Sequence, residues 1–372
     1  MKTKLLYEQI AEELKKKILS GEYVKDQKLP TENDLAQEYK VSRITSKRAL
    51  EELKKEGLIY RVRGSGSFVN EIDEELLQMT RARAMNTARA IAIIMPKHVS
   101  ESSFAQSING AVKVFEKAGY YSVIHSGVKN ADDEKKIIKK MYDNGIGGII
   151  YYPVSDRENY TLLNSLFLDN YPIVTIDKYF ESLPISNVVA DNYNGGRIAT
   201  EYLIKLGHEK IGFVSDLSIE STTSIRNRYF GYAKALKAHG KYEKEDVVKA
   251  GFTDEYHRSH QEKQYETIIN ELLKSEVTGI IAVNDLVATY LMRTAINMGV
   301  LVPEDLSIIG FDDLEMSKHL QVPLTTIRQD FDKIGQSAAE LIIDIIETQN
   351  YEYQQVKLPV SIIERQSCSK KK

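Results

Sequence analysis

From Arg89 onward the chain alternates short β-rich runs with amphipathic stretches, and that alternation constrains its fold more than any other feature. The runs are AIAIIMP, YYSVIHS, GGIIYYP, PIVTID, NVVAD, KIGFVSD, VVKAGF, GIIAVND and LSIIGFDD. Between most of them lie segments with helical spacing, near residues 105–118, 132–143, 194–206, 226–239, 261–274 and 286–298. Apolar strands separated by helices predict parallel sheets covered on both faces, an α/β body. Nine or more strands in about 280 residues fit two sheets better than one. Ligands in such folds gather beyond the carboxyl ends of the strands. The polar residues there are Tyr152, Asp177, Lys178, Asn284, Asp285, Asp312 and Asp313. Carboxylates and amides pair with sugar hydroxyls, and a tyrosine covers an apolar ring face, so the set predicts hydroxyl recognition. A single acidic residue in such a place is commonly a helix cap. For Asp285, just before LVATYLMRTA, capping and ligand binding stand equally open, whereas several polar strand ends together favour a site.

The first 70 residues follow another pattern. Leu6, Ile10, Leu14 and Ile18 form one helical stripe, stopped at Ser20-Gly21. In KLPTENDLAQEYKV, Thr31 is placed to cap a second helix, with Glu32 and Asp34 in its first turn and Leu35, Ala36 and Tyr39 facing inward. Ser42 caps a third helix running to about Lys55. That layout is a helix-turn-helix, whose second helix enters the DNA major groove. On the third helix Ser46, Ala49, Leu50 and Leu53 share the core side, and Arg43, Lys47 and Lys54 cluster within about 40° beside it. The plainer reading of these cations is a solvated basic face.

Next comes RVRGSGSF, Arg61–Phe68. A nucleotide-binding P-loop needs GxxxxGK[ST] between a strand and a helix. Here a helix precedes, a strand follows and the lysine is missing. Two short strands around Gly64-Ser65-Gly66 predict a hairpin instead, the wing of a winged helix, whose glycines let backbone N–H groups approach DNA phosphate. Charge agrees. Residues 1–70 hold 15 Lys and Arg against 11 Asp and Glu, a surplus of four, so with a net charge of −3 the remainder carries −7. A basic head on an acidic body is the electrostatic pattern of a nucleic-acid-binding protein.

With YEQIAEELKKKILSGEY, KLPTENDLA, VSRITSKRALEELKKEGLI and GSGSFV in order, residues 5–70 resemble the DNA-binding domain of the GntR family of bacterial repressors. The resemblance implies that Thr31 and Glu32 meet the DNA backbone, that Arg43, Thr45 and Lys47 work in or beside the major groove, and that Gly64–Gly66 touches the minor groove. Ser42, Arg63 and Ser65 complete the expected DNA-facing set. Many family members carry arginine where this chain has Lys47, which lacks arginine's planar fork, so base readout there is expected to be looser or the contact purely to phosphate.

RNRYFGYAKAL, LGHEKIGFVSD, IIAVNDLVA, GVLVPEDLSIIGFDD and PLTTIRQDFDKIGQ make residues 89–367 similar to the LacI-type effector domain, itself related to periplasmic sugar-binding proteins. The resemblance implies a two-lobed body in which Arg228, Asp285 and Asp312 hydrogen-bond an effector. Lys178 would stand in the cleft beside Asn284 and Tyr152, with Phe104 on a neighbouring loop. It also implies three chain crossings between the lobes, placed near 191, 330 and 350. The expected organisation is a winged helix-turn-helix at 1–70, a linker at 71–88 and an effector-binding and dimerisation domain at 89–372. Head and body together resemble the family of arabinose-responsive repressors. The implied protein is a homodimeric repressor of double-stranded operator DNA released by a sugar, L-arabinose first, with another sugar or a purine as the alternative.

Other functions find less support. His257 and His260 form an HxxH pair in a polar stretch without further ligands, Asp312-Asp313 lacks a phosphate loop, and Cys368 falls in a C-terminal tail with no evident partner. No enzyme activity and no cofactor or metal are expected. A lone cysteine excludes a disulfide framework and suits a reducing cytosol. No apolar run reaches the roughly 20 residues of a membrane span, and MKTKLLYEQIAEELKKK turns charged too quickly for a secretory signal, so a soluble cytoplasmic protein is expected.

Overall fold

The structure, a computed structural model, describes residues 6–62, 64–71, 89–97, 101–241, 247–252 and 261–371. Arg63, most of the expected linker, and the His257/His260 pair lie outside the described residues. The chain divides into two compact units, Met1–Ala88 and Arg89–Lys372.

In the first unit, helices α1 (Leu6–Ser20), α2 (Glu32–Glu38) and α3 (Arg43–Lys55) precede strands β1 (Ile59–Val62) and β2 (Gly66–Val69). Ile10, Leu14, Ile18, Leu35, Leu50, Leu53 and Val69 form its core. Leu6, expected on the same stripe, sits in the first turn of α1 and stays exposed. Thr31 caps α2 in a reciprocal box: its hydroxyl accepts from the Asp34 amide, and the Asp34 carboxylate accepts from the Thr31 amide at 2.8 Å. Ser42 caps α3 through the Thr45 amide. β1 and β2 pair antiparallel from Ile59 with Val69 to Val62 with Gly66. Gly64 and Gly66 take φ of 80° and 123°, backbone that a side chain would strain.

The second unit holds two six-stranded sheets. The first lobe contains β3 (Ala90–Pro96), β4 (Tyr121–Val128), β5 (Gly148–Tyr151), β6 (Ile173–Ile176), β7 (Ser186–Ala190) and β13 (Gln355–Leu358), in the order β13-β7-β6-β5-β3-β4. Its helices are α4 (Glu101–Ala118), α5 (Ala131–Asp143), α6 (Tyr160–Leu168) and α11 (Phe331–Thr348). The second lobe contains β8 (Ile211–Ser215), β9 (Val248–Ala250), β10 (Gly279–Ala282), β11 (Ser307–Asp312), β12 (Thr325–Arg328) and β14 (Ser361–Ile363), in the order β14-β12-β11-β10-β8-β9. Its helices are α7 (Asn192–Lys205), α8 (Thr223–Ala238), α9 (Gln261–Lys274) and α10 (Asp285–Asn297). All pairings in both sheets are parallel except β12 with β14. No helix among the described residues is long and apolar enough to cross a membrane.

The chain passes between lobes after β7, between β12 and α11, and between β13 and β14. The first two crossings fall near 191 and 330. The third follows Leu358 rather than falling near 350, because Gln355–Leu358 first pairs with β7.

Among the described residues each lobe has one pair of helices packed backbone to backbone through glycine. A Cβ on Gly196 of α7 would overlap the Arg228 carbonyl oxygen of α8, and one on Gly231 would overlap the Tyr193 carbonyl. Gly110 of α4 and Gly335 of α11 make the matching approach in the first lobe, against Asp332 and Ser107. Gly196→Ala will therefore push α8 away and lower body stability by about 1–3 kcal/mol. A melting curve of the variant tests this; an unchanged midpoint would mean that the helices separate without cost.

Candidate DNA-binding surface and effector cleft

On the first unit the basic residues are organised by Glu32. Its carboxylate accepts from Arg43 Nε of α3 at 3.1 Å and from Arg61 Nη2 of β1 at 3.1 Å, one guanidinium on each oxygen. Its backbone carbonyl accepts from the buried Ser46 hydroxyl at 2.6 Å, fixing α2 against α3. With 20% of its side chain exposed, Glu32 ties the third helix to the wing strand. Arg61 was missed in the sequence because only the fold brings it to Glu32. Arg43 keeps 70% of its side chain exposed, and Lys47 stands 3.8 Å from Glu51 one turn on. The Ser42 and Thr45 hydroxyls share a hydrogen bond at 2.8 Å, and the Thr31 hydroxyl is engaged by Asp34. Gly64 and Ser65 stand exposed at the hairpin tip, where the Ser65 amide donates to the Val62 carbonyl.

In the second unit the site grows around Arg228. The buried guanidinium donates from Nε to Asn192 Oδ1 at 2.8 Å and from Nη1 to the Val283 carbonyl at 2.7 Å. Its third nitrogen, Nη2, lies 3.6 Å from Asp312 Oδ1, and the group lies 3.7 Å over the Phe311 ring. Asp312 ends β11 and Asp313 follows it, with φ of 119° and 56°, strained backbone for residues with a side chain. Gln329 Nε2 donates to Asp312 Oδ1 at 2.6 Å, while its own buried Oε1 has no partner. Burial pushes the Asp312 carboxyl up to about 7, against the lowering effect of Arg228 and with added repulsion from Asp285 and Asp177.

From the first lobe, Tyr152 follows β5 and Asp177 follows β6. Burial raises the Tyr152 phenol well above its usual range; the charge of Asp177 and their mutual hydrogen bond add to this, and Asp312 and Arg228 act on the same phenol from the second lobe. Lys178 donates to the Pro153 and Val154 carbonyls at 3.2 and 2.9 Å, with Nζ 5.3 Å from the Tyr152 ring. Phe104 packs half-buried on the same core cluster as Tyr152. The lobes also touch directly. Asp156 Oδ2 accepts from the Thr223 amide at the start of α8, Thr223 Oγ1 accepts from the Tyr179 amide at 3.2 Å, and Arg226 pairs with Glu181 at 2.9 Å.

Three expectations need correction. Asp285 does not face the cleft: it is fully buried, and its carboxylate accepts from the Leu314 amide at 2.8 Å and from the Ser317 and Thr326 hydroxyls at 2.6 and 2.5 Å. It shapes the turn after β11 and is not the cap of α10, a role taken by half-buried Asn284 through the Val287 amide. Asp313 is held by Arg365 and is likewise structural. Cys368 is no loose tail residue; its thiol donates to the Ile308 carbonyl and is pushed up to about 12 by burial. Gln329, Asn192, Asp156 and Thr223 were missed. Gln329 has a sequence signal, since it directly follows TTIR.

Residues 6–69 match the family model for bacterial regulatory proteins of the gntR family, and residues 200–368 match that for a periplasmic binding protein-like domain. The chain thus joins a gntR-family DNA-binding head to a periplasmic-binding-protein-like body, the build of a transcriptional regulator. The particular proteins it is similar to include the arabinose metabolism transcriptional repressor of Geobacillus stearothermophilus, 29% identical over 93% of this chain and 93% of that one. The HTH-type transcriptional repressor PurR of Aliivibrio salmonicida is 25% identical over 81% of this chain and 88% of its own, and the ribose operon repressor of Bacillus subtilis 27% over 79% and 85%. Among solved structures, a CelR–cellobiose complex superposes with a TM-score of 0.66 at 20% identity, covering 91% of this chain and all of that one. The lac repressor dimer bound to operator superposes at 0.65 with 22% identity, over 81% of this chain and 100% of that one. These two likenesses concern the fold.

Proposed function

We propose that the chain is a sugar-responsive repressor that binds operator DNA as a homodimer and leaves it when a small carbohydrate, L-arabinose first, enters between the lobes of the body. The observation that carries the reading is the convergence of Arg228 of α8 with Asp312, Gln329 and the Tyr152–Asp177 pair at strand ends of both lobes. Carboxylate, amide and guanidinium groups offer sugar hydroxyls both donors and acceptors. The likeness to arabinose repressors over most of both chains supports arabinose among sugars. A purine wants aromatic stacking partners, whereas the Asp312, Arg228 and Gln329 set suits the hydroxyls of a sugar. One head makes few contacts, and pairing two heads on a near-palindromic site multiplies occupancy. Sugar would act by binding one lobe arrangement better than another, so DNA must weaken sugar binding by the same factor.

The test is a thermal-shift screen of the full-length protein against L-arabinose, other pentoses, hexoses and purines. A ligand at 100 times its Kd adds about 2.7 kcal/mol of stability, which such a screen detects. Stabilisation by a purine alone would overturn the carbohydrate reading and leave the repressor reading intact.

Within the head, Glu32→Gln gives a prediction whose sign separates positioning from plain electrostatics. Removing a negative charge should by itself strengthen binding to DNA. Because Glu32 aims both Arg43 and Arg61, the variant is expected instead to bind a cognate duplex about tenfold more weakly. Fluorescence anisotropy decides it, and tighter binding would show that Glu32 only repels phosphate.

A further inference from the structure

Ile44, the second residue of α3, is 79% exposed, more than any other of the exposed large apolar side chains among the described residues. A single exposed hydrophobe is ordinary on a protein surface. Its position is what sets this one apart. At 100° per residue Ile44 points about 180° from Leu53 and stands opposite the whole buried face of Ser46, Ala49, Leu50 and Leu53. Arg43 and Lys47 flank it on one side and Arg48 on the other; Glu51, two turns on, shares this face and stands 3.8 Å from Lys47. Arg48 lies 3.9 Å over the Tyr7 ring, so its charge is held beside this face. An apolar tip framed by cations suits a partner that is anionic at its rim and apolar at one point. The DNA major groove is such a partner, and the one apolar group on its base edges is the 5-methyl of thymine. Recognition helices meet base edges with their first residues, where Ile44 sits.

We propose that Ile44 reads a thymine in each operator half-site by packing against its 5-methyl group. The inference rests on the repressor reading and adds to it the one base contact in α3 that is apolar.

The test begins with a duplex selected by the full-length protein from a random library. Each thymine is then replaced in turn by deoxyuridine, which lacks only the methyl. Wild type is expected to lose about fourfold in affinity at one position per half-site, the worth of one buried methyl. Ile44→Ala, which loses the contact in both heads, should bind the unmodified duplex about fifteenfold more weakly and be indifferent to uridine there, while Ile44→Val keeps the discrimination. An exposed site tolerates both changes, which unaltered far-UV circular dichroism verifies. If Ile44→Ala shows the same uridine losses as wild type at every thymine, the inference is overturned and the repressor reading stands. If wild type selects no DNA at all, the repressor reading fails and this inference with it.

Discussion

Asp312→Ala will hold operator DNA with wild-type affinity and will not release it at sugar concentrations that release the wild type. Asp312 sits where β11 turns out of the sheet, close to Arg228 from α8 and bonded to Gln329 beyond β12. Only its Oδ1 is engaged in those contacts, so Oδ2 remains to accept from a ligand hydroxyl. A hydrogen bond to a charged acceptor is worth about 1.5–3 kcal/mol, and removing the acceptor also leaves Gln329 and the ligand hydroxyl without partners. Effector affinity should fall at least a hundredfold. Parallel titrations of the variant with sugar and with duplex read both halves of the prediction. A variant that still leaves DNA at ordinary sugar concentrations would place the pocket elsewhere.

The same carboxyl gives opposite pH slopes to stability and to binding. Its folded pKa is raised by burial from 3.8 to about 7. A raised folded pKa stabilises the fold fully below the unfolded value, and that contribution declines as pH rises and is gone above about 7. Asp285, raised to about 6 by burial, adds a slope of the same sign that ends sooner. The unliganded body is thus expected to be more stable at pH 5.5 than at pH 8. Sugar binding that uses ionised Asp312 as an acceptor should strengthen over the same interval. Asp312→Asn will remove the part of the stability slope between about 6 and 7; an undiminished slope would assign it to other groups.

How much of this was legible follows from what each element buries. β3, β5, β6, β8, β10 and β11 are central strands covered on both faces, so their sequences are apolar runs that announce themselves. TTIR, QVKL and SII are short, partly polar and toward or at the sheet edges, and β12, β13 and β14 passed unseen. α11 carries a helical signal, since Ile334, Ala338, Leu341, Ile342 and Ile345 mark one buried stripe, but its first turn lies inside the stretch PLTTIRQDFDKIGQ that carries the effector-domain resemblance. The site divides the same way. Arg228 and Asp312 were visible from strand-end logic and resemblance, and Gln329 was lost with its strand. Asp285 was misread because position after a strand does not say which way a side chain turns. Here Gly310, the residue a Cβ would drive into Asp285, opens the inward path. Nothing local in TENDLA says that Glu32 will meet two arginines.

Arg43→Ala will lose about a hundredfold or more of the affinity for cognate duplex while the response of the body to sugar stays intact. Arg43 is exposed at the start of α3, capped by Ser42 and aimed by Glu32, so its fork is organised before DNA arrives. A bidentate arginine–guanine contact is worth about 1–3 kcal/mol per head, and a dimer loses it twice. If Arg43 reads a base, the loss will be larger on cognate than on scrambled duplex, and Arg43→Lys will not restore it, because lysine lacks the planar fork. Lys54→Ala on the same helix is the control for a phosphate contact: it should weaken both duplexes alike and lower the salt dependence by about one charge per head. The two variants thus separate readout from attraction. Equal losses on cognate and scrambled DNA for Arg43→Ala would move Arg43 from the bases to the phosphates and leave Ile44 to carry sequence discrimination in α3.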